Sequence, residues 1–341
     1  MHINARRFGL VVVLSFILAA AVSPSAGEEK KVWKVGTLTP KGVGWARQFE
    51  KIILPVIHTA TGNSLDVKVY WGGIMGDDED IIAKMRAGQL QAAGITGQGA
   101  VIACPEFAVM ELPFLFRNYE EVDYVRQKLA PEFDQMMRKQ GFKLLLWLDQ
   151  DFDQIYSVKW RFQDMEDFKK AKIMTWYGPL EEQLLKSLGA SPIPVDIPEL
   201  VPSLKQGVAD TLIAPGLWMI ATQLYPAVKY MVPVKLRYSP AIVLCTLDSW
   251  NQLSEESRQG LIDSSSDVSR RFLEATRSDN EKALVALEKY GIEKIELDPA
   301  TVENIRQAAV KIWDEQAGQL YPRDLLDRVL VILDEFRGQK R

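Results

Sequence analysis

The sequence predicts an α/β protein, a two-part body of open sheets flanked by helices and followed by a helical tail. Three observations predict it. Strand-like runs alternate with helical stretches of about ten to fifteen residues over most of the chain before Leu253, the mark of crossover units. From Leu253 onward a nearly unbroken helical pattern replaces that alternation. A length of 341 residues, 47% hydrophobic and 25% charged, suffices for two folded cores.

The elements follow in order. KVWKVGTLTP (31–40) reads as a strand entering a turn, and GWARQFEKIILPVIHTATG (44–62) has helical spacing with a glycine stop. SLDVKVYWGG (64–73) alternates as a strand does. GDDEDIIAKMRAG (76–88) is a helix whose first-turn acids and trailing glycine suit the macrodipole and the C-cap. QAAGITGQG gives a short strand and a glycine-rich turn. Strands are expected at 143–149, 171–176, 191–196, 211–215 and 230–234, with a helix at 178–189. After Leu253 one long helical stretch reaches a short strand signal, IEKIEL, and two amphipathic helices close the chain.

Residues 1–26 have the order of a cleavable secretory signal: two arginines, an apolar run from Phe8 to Val22, then small residues. That run of 15 is shorter than the roughly 18 to 20 residues of a membrane span. Export of the mature protein is therefore expected. Without Arg6 and Arg7 the chain carries 39 basic and 45 acidic side chains, a formal charge of −6. No basic block stands out, which argues against nucleic acid as a partner. Cys104 and Cys245 fit no zinc or CxxC spacing and read as two buried thiols, with a disulfide as the alternative.

Catalytic and metal-binding signatures are weak. His58, alone after removal of the signal, sits late in an amphipathic helix, and no GxSxG elbow accompanies it. Asp149, Asp151 and Asp153 begin as a calcium loop does, but Gln154 replaces the sixth-position glycine and Trp160 the twelfth-position glutamate. The segment reads as a polar turn after a strand. GITGQG is neither a Walker loop nor a dinucleotide fingerprint, though Gln98 and its backbone could meet a small ligand. No cofactor is expected.

Aromatic residues are abundant: nine Trp, ten Tyr and thirteen Phe. Trp45, Trp71, Trp147, Trp176 and Trp218 fall at or near expected strand ends or helix starts, the places where α/β units present ligand clefts. A binding protein without turnover is the class these features favour.

Several segments resemble the solute-binding proteins of TRAP transporters, the DctP-like family: GIMGDDEDIIAKMRAGQLQAAGITGQG, ELPFLFRNYEEVDYV, KQGFKLL, MEDFKKAKIMTWYGPLEEQLLKSLGASPIPVDIPELVPSLKQGVADTL and SWNQLSEESRQGLID. They span most of residues 32–292 in the family's order. The resemblance implies a two-lobed periplasmic binding protein that closes on a ligand and delivers it to TRAP membrane permease subunits. Lobe one would comprise 30–151 plus 240–279, lobe two 152–239 plus 280–318, and 319–341 a C-terminal amphipathic helix. The long helix after Leu253 would brace both lobes, and some relatives work with a periplasmic helical-repeat partner.

One departure matters. The family's strand lKGlKIR ends in an arginine that pairs with a substrate carboxylate, and FKKAKIM here puts Met174 in its place. Losing one partner of a buried ion pair costs about 3 to 5 kcal/mol, enough to weaken binding on the order of a hundredfold or more. The lead expectation is a neutral or hydrophobic, even lipid-like, ligand against Met174, Trp176, Tyr177 and Trp218. Trp45, Trp71, Gln98, Trp147 and Tyr238 complete the candidate lining. The alternative keeps an organic acid and relocates the positive charge, to Arg161, Arg237 or a helix N-terminus. A third reading, a periplasmic enzyme on a binding-protein scaffold, would rest on carboxylates such as Asp149 or Asp210.

Overall fold

The computed structural model describes residues 30–176 and 178–339, so the expected signal segment and Tyr177 lie outside the described residues. The first half comprises β1 (Lys31–Thr37), α1 (Gly44–Gln48), α2 (Leu54–Ala60), β2 (Leu65–Tyr70), α3 (Asp78–Arg86), β3 (Ala92–Thr96), α4 (Gly97–Ala103), α5 (Tyr119–Lys139) and β4 (Phe142–Ser157). A π turn joins α1 to α2, and a 3-10 segment, Pro105–Glu111, follows α4. The second half comprises α6 (Met165–Lys170), β5 (Lys172–Thr175), α7 (Pro179–Ser187), β6 (Ser191–Pro194), α8 (Leu200–Lys205), β7 (Thr211–Ala214), α9 (Gly216–Ala221) and β8 (Tyr230–Thr246). The tail adds α10 (Leu247–Asn251), α11 (Glu255–Lys289), β9 (Glu293–Lys294), α12 (Pro299–Gln316) and α13 (Arg323–Gln339).

The described strands form one sheet in the order β2-β1-β3-β8-β4-β7-β5-β6, with β9 beside β8. The β2-β1-β3 group is parallel, as is β7-β5-β6. Between them β4 and β8 run antiparallel along their length. Each parallel group is the centre of one lobe, and the two long strands belong to both. Their register shifts at Leu144/Leu146, Asp149/Asp151 and Asp153/Ile155, the local kinks expected where strands pass from one lobe to the other.

The polar turn expected after residue 149 is therefore corrected. Asp149, Asp151 and Asp153 lie inside the 16-residue β4, almost fully buried. Their partners come from strands and helices distant in sequence, so a local window shows only three unpaired acids. Strand β8 likewise extends well past the expected 230–234.

Local chemistry accounts for the helix ends. Asp77 caps α3 by accepting from the N–H of Glu79 and Asp80, with three acids in the first turn and Lys84 and Arg86 in the last. In α5, Val122, Val125, Leu129, Phe133 and Met137 form one buried stripe. Helix α11 has 35 residues, roughly 50 Å at 1.5 Å per residue, and contacts α1, α2, α9 and β4. It spans both lobes. Helix α13 docks on α5, burying Leu325, Leu326, Val329 and Leu333, with Arg337 on Glu121 and Arg328 on Glu132. Cys104 and Cys245 are both buried and free.

Candidate functional site

The parallel strands of each lobe end facing one crevice. Thr37, Tyr70 and Thr96 end β1, β2 and β3, and Thr175, Pro194 and Ala214 end β5, β6 and β7. Ligands of open α/β sheets bind at such ends. The lobes touch there. Gly178 has φ +80° and ψ −160°, backbone space in which an L side chain is strained, and a Cβ on it would stand 2.8 Å from Gln98 Oε1.

A polar cavity of about 190 Å³ lies at this contact, between the start of α3, Gln98 and Ile102 on one side and Thr175, Trp176, Gly178 and Asp196 on the other. Each lobe presents a paired threonine and carboxylate beside it. Thr96 Oγ1 donates to Asp78, in the first turn of α3. Thr175 Oγ1 donates to Glu181, in the first turn of α7. Burial pushes Asp78 up to about 6 against the lowering effect of that hydrogen bond.

Glu111 lies deeper, where Gly97 leaves room for it: a Cβ at 97 would sit 1.9 Å from Glu111 Oε1. Burial raises this carboxyl to about 7, opposed by Arg237 and reinforced by Asp153, Glu181 and Asp78. Arg237, itself 4% exposed, directs Nε and Nη2 to Asp153 Oδ2 at 3.1 and 2.7 Å and Nη1 to Glu111 at 3.5 Å. Buried acids from both lobes thus surround this guanidinium.

A second cavity, about 60 Å³, lies under α1 at the strand ends of lobe one. Its wall is apolar and aromatic: Trp45, Phe49, Trp71 and Phe272, with Trp218 brought from α9 of lobe two. Trp45 and Trp218 face each other with ring centroids 6.3 Å apart, and Phe49 meets Trp71 edge-on at 5.7 Å. Thr37, Thr39, Thr96 and Gln150 supply its few polar atoms.

Behind both cavities a charged network crosses the lobes. Asp149 accepts from Arg126, from Arg277 Nε at 2.8 Å and from Tyr238 Oη at 2.6 Å. Arg277 on α11 also forks onto Asp123 at 2.7 and 2.6 Å and stacks over Tyr119, which donates to Asp151. Asn280 on the same helix donates to the Gln150 carbonyl at 2.6 Å. Burial raises Asp151 to about 7, the Tyr119 hydrogen bond pulling the other way.

The sequence-predicted residues divide accordingly. Trp45, Trp71 and Trp218 share the aromatic cavity, while Gln98 and Trp176 line the polar one. Met174 is fully buried in β5, in register with Ile193 and Leu212 and within the same apolar cluster as Trp45 and Trp218. Trp147 packs between Phe107 and Phe133, and Tyr238 serves the crossing network. Of the proposed relocated charges, Arg161 is half exposed and pairs with Glu293, whereas Arg237 sits in the buried cluster. Asp210 pairs with Lys159 and closes the turn into β7. Asp78, Glu111 and Glu181 went unrecognised as a set, because Asp78 and Glu181 stand at helix starts and read as ordinary macrodipole partners, while Glu111 ends a 3-10 segment far from both in sequence.

Residues 38–319 match the profile of the bacterial extracellular solute-binding protein family 7, DctP. The C4-dicarboxylate-binding periplasmic protein DctP of Rhodobacter capsulatus is 25% identical over 292 residues, 84% of this chain and 86% of that protein. Among solved structures, the sugar acid binding protein DctPAm of Advenella mimigardefordensis, in complex with galactonate, superposes with TM-score 0.84 at 20% identity, covering 90% of this chain and 99% of that one. A TRAP periplasmic solute-binding protein of Haemophilus influenzae with bound L-gulonate gives TM-score 0.82 at 21% identity, with 89% and 99% covered. These are binding proteins and not enzymes, which sets aside the enzymatic reading. The chain belongs to bacterial extracellular solute-binding protein family 7, the DctP family of TRAP-type solute-binding proteins.

Proposed function

We propose that this chain is the periplasmic receptor of a TRAP-type transporter, closing its two lobes on a small organic acid and handing it to membrane permease subunits. The expected neutral or hydrophobic ligand is corrected: the similar proteins of known ligand are named for a C4-dicarboxylate, galactonate and L-gulonate, all acids. The expected loss of carboxylate binding followed from Met174 alone, whereas the cleft draws on residues from several elements.

The observation that carries the reading is Arg237. It is a guanidinium buried at the lobe crossing, held by Asp153 at 2.7 Å and within 3.5 Å of Glu111. Glu111, raised to about 7, exists partly as a neutral acid near neutral pH. A ligand carboxylate could then share the guanidinium while Glu111 keeps its proton and donates. Two-pronged recognition of a carboxylate suits Arg far better than Lys.

The lobe division at 30–151 plus 240–279 and 152–239 plus 280–318 is part of the same proposal, as is export by a signal at 1–26. The tail adds no helical-repeat partner to it, since the apolar stripe of α13 is buried against the body.

Calorimetric titration with hydroxy acids, sugar acids and dicarboxylic acids tests the proposal. One class should bind, and Arg237→Lys, retaining charge but losing the fork, should weaken it by about tenfold or more. Acid binding untouched by that substitution would remove Arg237 from the site.

A further inference from the structure

Gln150 is an extra residue in strand β4. Asp149 pairs with Pro240 and Asp151 with Ser239, so Gln150 has no counterpart across the ladder and forms a bulge, a device that re-aims a side chain. The Asn280 side chain, donating to the Gln150 carbonyl at 2.6 Å, holds the backbone there. Gln150 is 6% exposed and lines the aromatic cavity.

Its amide has one orientation. Nε2 donates to the Pro240 carbonyl at 3.0 Å, and a carbonyl only accepts, so the nitrogen faces Pro240 and Oε1 points away from it. Among the described residues no donor reaches Oε1. Nor is that oxygen one of the fully enclosed polar atoms without a partner, a set that does include the indole nitrogens of Trp45 and Trp218. Oε1 therefore keeps open surface, and the cavity is where Gln150 opens.

A ligand arm that fills the cavity takes water away from this oxygen, and an amide oxygen left without a donor weakens binding. The arm therefore has to donate. Among the described residues no Asp, Glu, Lys or Arg lines the cavity, so an ammonium would lose its water without gaining a counter-ion. A hydroxyl donates without that loss, and the carbon that carries it can rest against the rings of Trp45, Trp71 and Trp218.

We propose that Gln150 is a specificity-determining residue of the ligand cleft, its Oε1 accepting from a hydroxyl on the ligand arm that enters the aromatic cavity. The assignment rests on the organic-acid reading above and narrows it to a hydroxylated acid.

Calorimetry on the intact, ligand-stripped protein tests it. The probes are straight-chain monocarboxylates of four to six carbons, bare or with one hydroxyl, amino group or fluorine at each carbon in turn. Malate is compared with succinate, and gluconate with its monodeoxy forms. At one position the hydroxyl should tighten binding at least about fivefold over the acid lacking it, the worth of one net hydrogen bond. Fluorine at that position, similar in size but unable to donate, should give no gain. Gln150→Met keeps the length of the side chain and loses the acceptor. It should erase the gain while leaving the affinity of the acid without the hydroxyl nearly unchanged. A purely structural role, through Pro240, would lower both affinities together and keep their ratio. The assignment is overturned by acids that bind with no gain from any hydroxyl, or by a gain that fluorine reproduces. It is equally overturned by a gain that survives Gln150→Met, or by an amino group that binds tighter than the hydroxyl. Each of these leaves the organic-acid reading standing. The fluorine comparison uses the unsubstituted protein and decides even if Gln150→Met fails to fold. Failure of every acid removes both.

Discussion

Gln98 of lobe one rests against the bare α-carbon of Gly178 of lobe two, where a Cβ would stand 2.8 Å from Gln98 Oε1 and the amide would have to turn aside. Gly178→Ala should therefore act on closure. The new methyl group meets the movable amide end of Gln98 when the lobes meet, so ligand affinity should fall by no more than about tenfold, a ceiling near 1.4 kcal/mol. Part of any stability loss would come from the backbone itself, since φ +80° and ψ −160° strains a residue with a Cβ. Calorimetry on the double variant separates the two effects: Gln98→Ala added to Gly178→Ala should recover most of the affinity. An unchanged single-variant affinity would mean that this contact does not govern closure.

Arg277 joins the bracing helix to the crossing strand. Asp149, with no exposed side-chain surface, keeps Arg126 and Tyr238 if Arg277 is lost, so Arg277→Met should cost about 3 kcal/mol, the lower end for breaking a buried pair. Urea unfolding measures it. Arg270 provides the contrast, because its partners Asp267 and Glu274 are exposed neighbours on one helix face, and Arg270→Ala should not measurably change stability.

Buried carboxyls whose pKa is raised set the pH dependence, Asp153 among them by burial against the opposing Arg237. Glu111 and Asp151 are raised to about 7 and Asp78 to about 6, mainly by burial. In the folded state they hold protons that the unfolded chain has already released, so stability falls as pH rises from about 4.5 to 7 and then levels. Glu121 and Asp167 are lowered and weaken the fold only below their ordinary range, at the acid end. The melting temperature should thus be higher near pH 5.5 than at pH 8, by at least about 3 °C. Glu111→Gln should flatten the slope. A melting temperature that rises between those two pH values contradicts the burial of these acids.

Removing residues 319–341 should destabilise the protein. Leu325, Leu326, Val329 and Leu333 would leave an uncovered stripe on α5, and Arg337 and Arg328 would leave Glu121 and Glu132. Each buried leucine or valine side chain is worth about 1.5 to 3 kcal/mol. Size-exclusion chromatography and thermal unfolding should show aggregation or a marked loss of stability. A truncated chain as stable as the intact one, and monomeric, would make α13 a detachable docking element instead.

Much of the architecture was legible in local patterns. The capped α3, the strands around Met174 and the 35-residue α11 follow from periodicity and end signals that act within a few residues. Helix α5 was not legible, because Pro131 interrupts its middle and only packing of its buried stripe overrides that signal. The crossing of β4 was hidden for another reason. Asp149 and Asp153 carry their carboxylates inside a buried strand because Arg277 and Arg237 arrive from 128 and 84 residues away. At the site the tryptophans were visible by type, and three share a cavity. The pairing of Asp78 and Glu181 with threonines at strand ends needed the fold.

The central claim, an organic acid enclosed between the lobes, is most directly tested on protein purified from cells without denaturation. Native mass spectrometry gives the mass of any adduct, and solvent extraction with mass-spectrometric identification gives its chemistry. A small carboxylate released on unfolding is the predicted result. A neutral or lipid-like adduct, released at equal stoichiometry and without a carboxyl group, would contradict it.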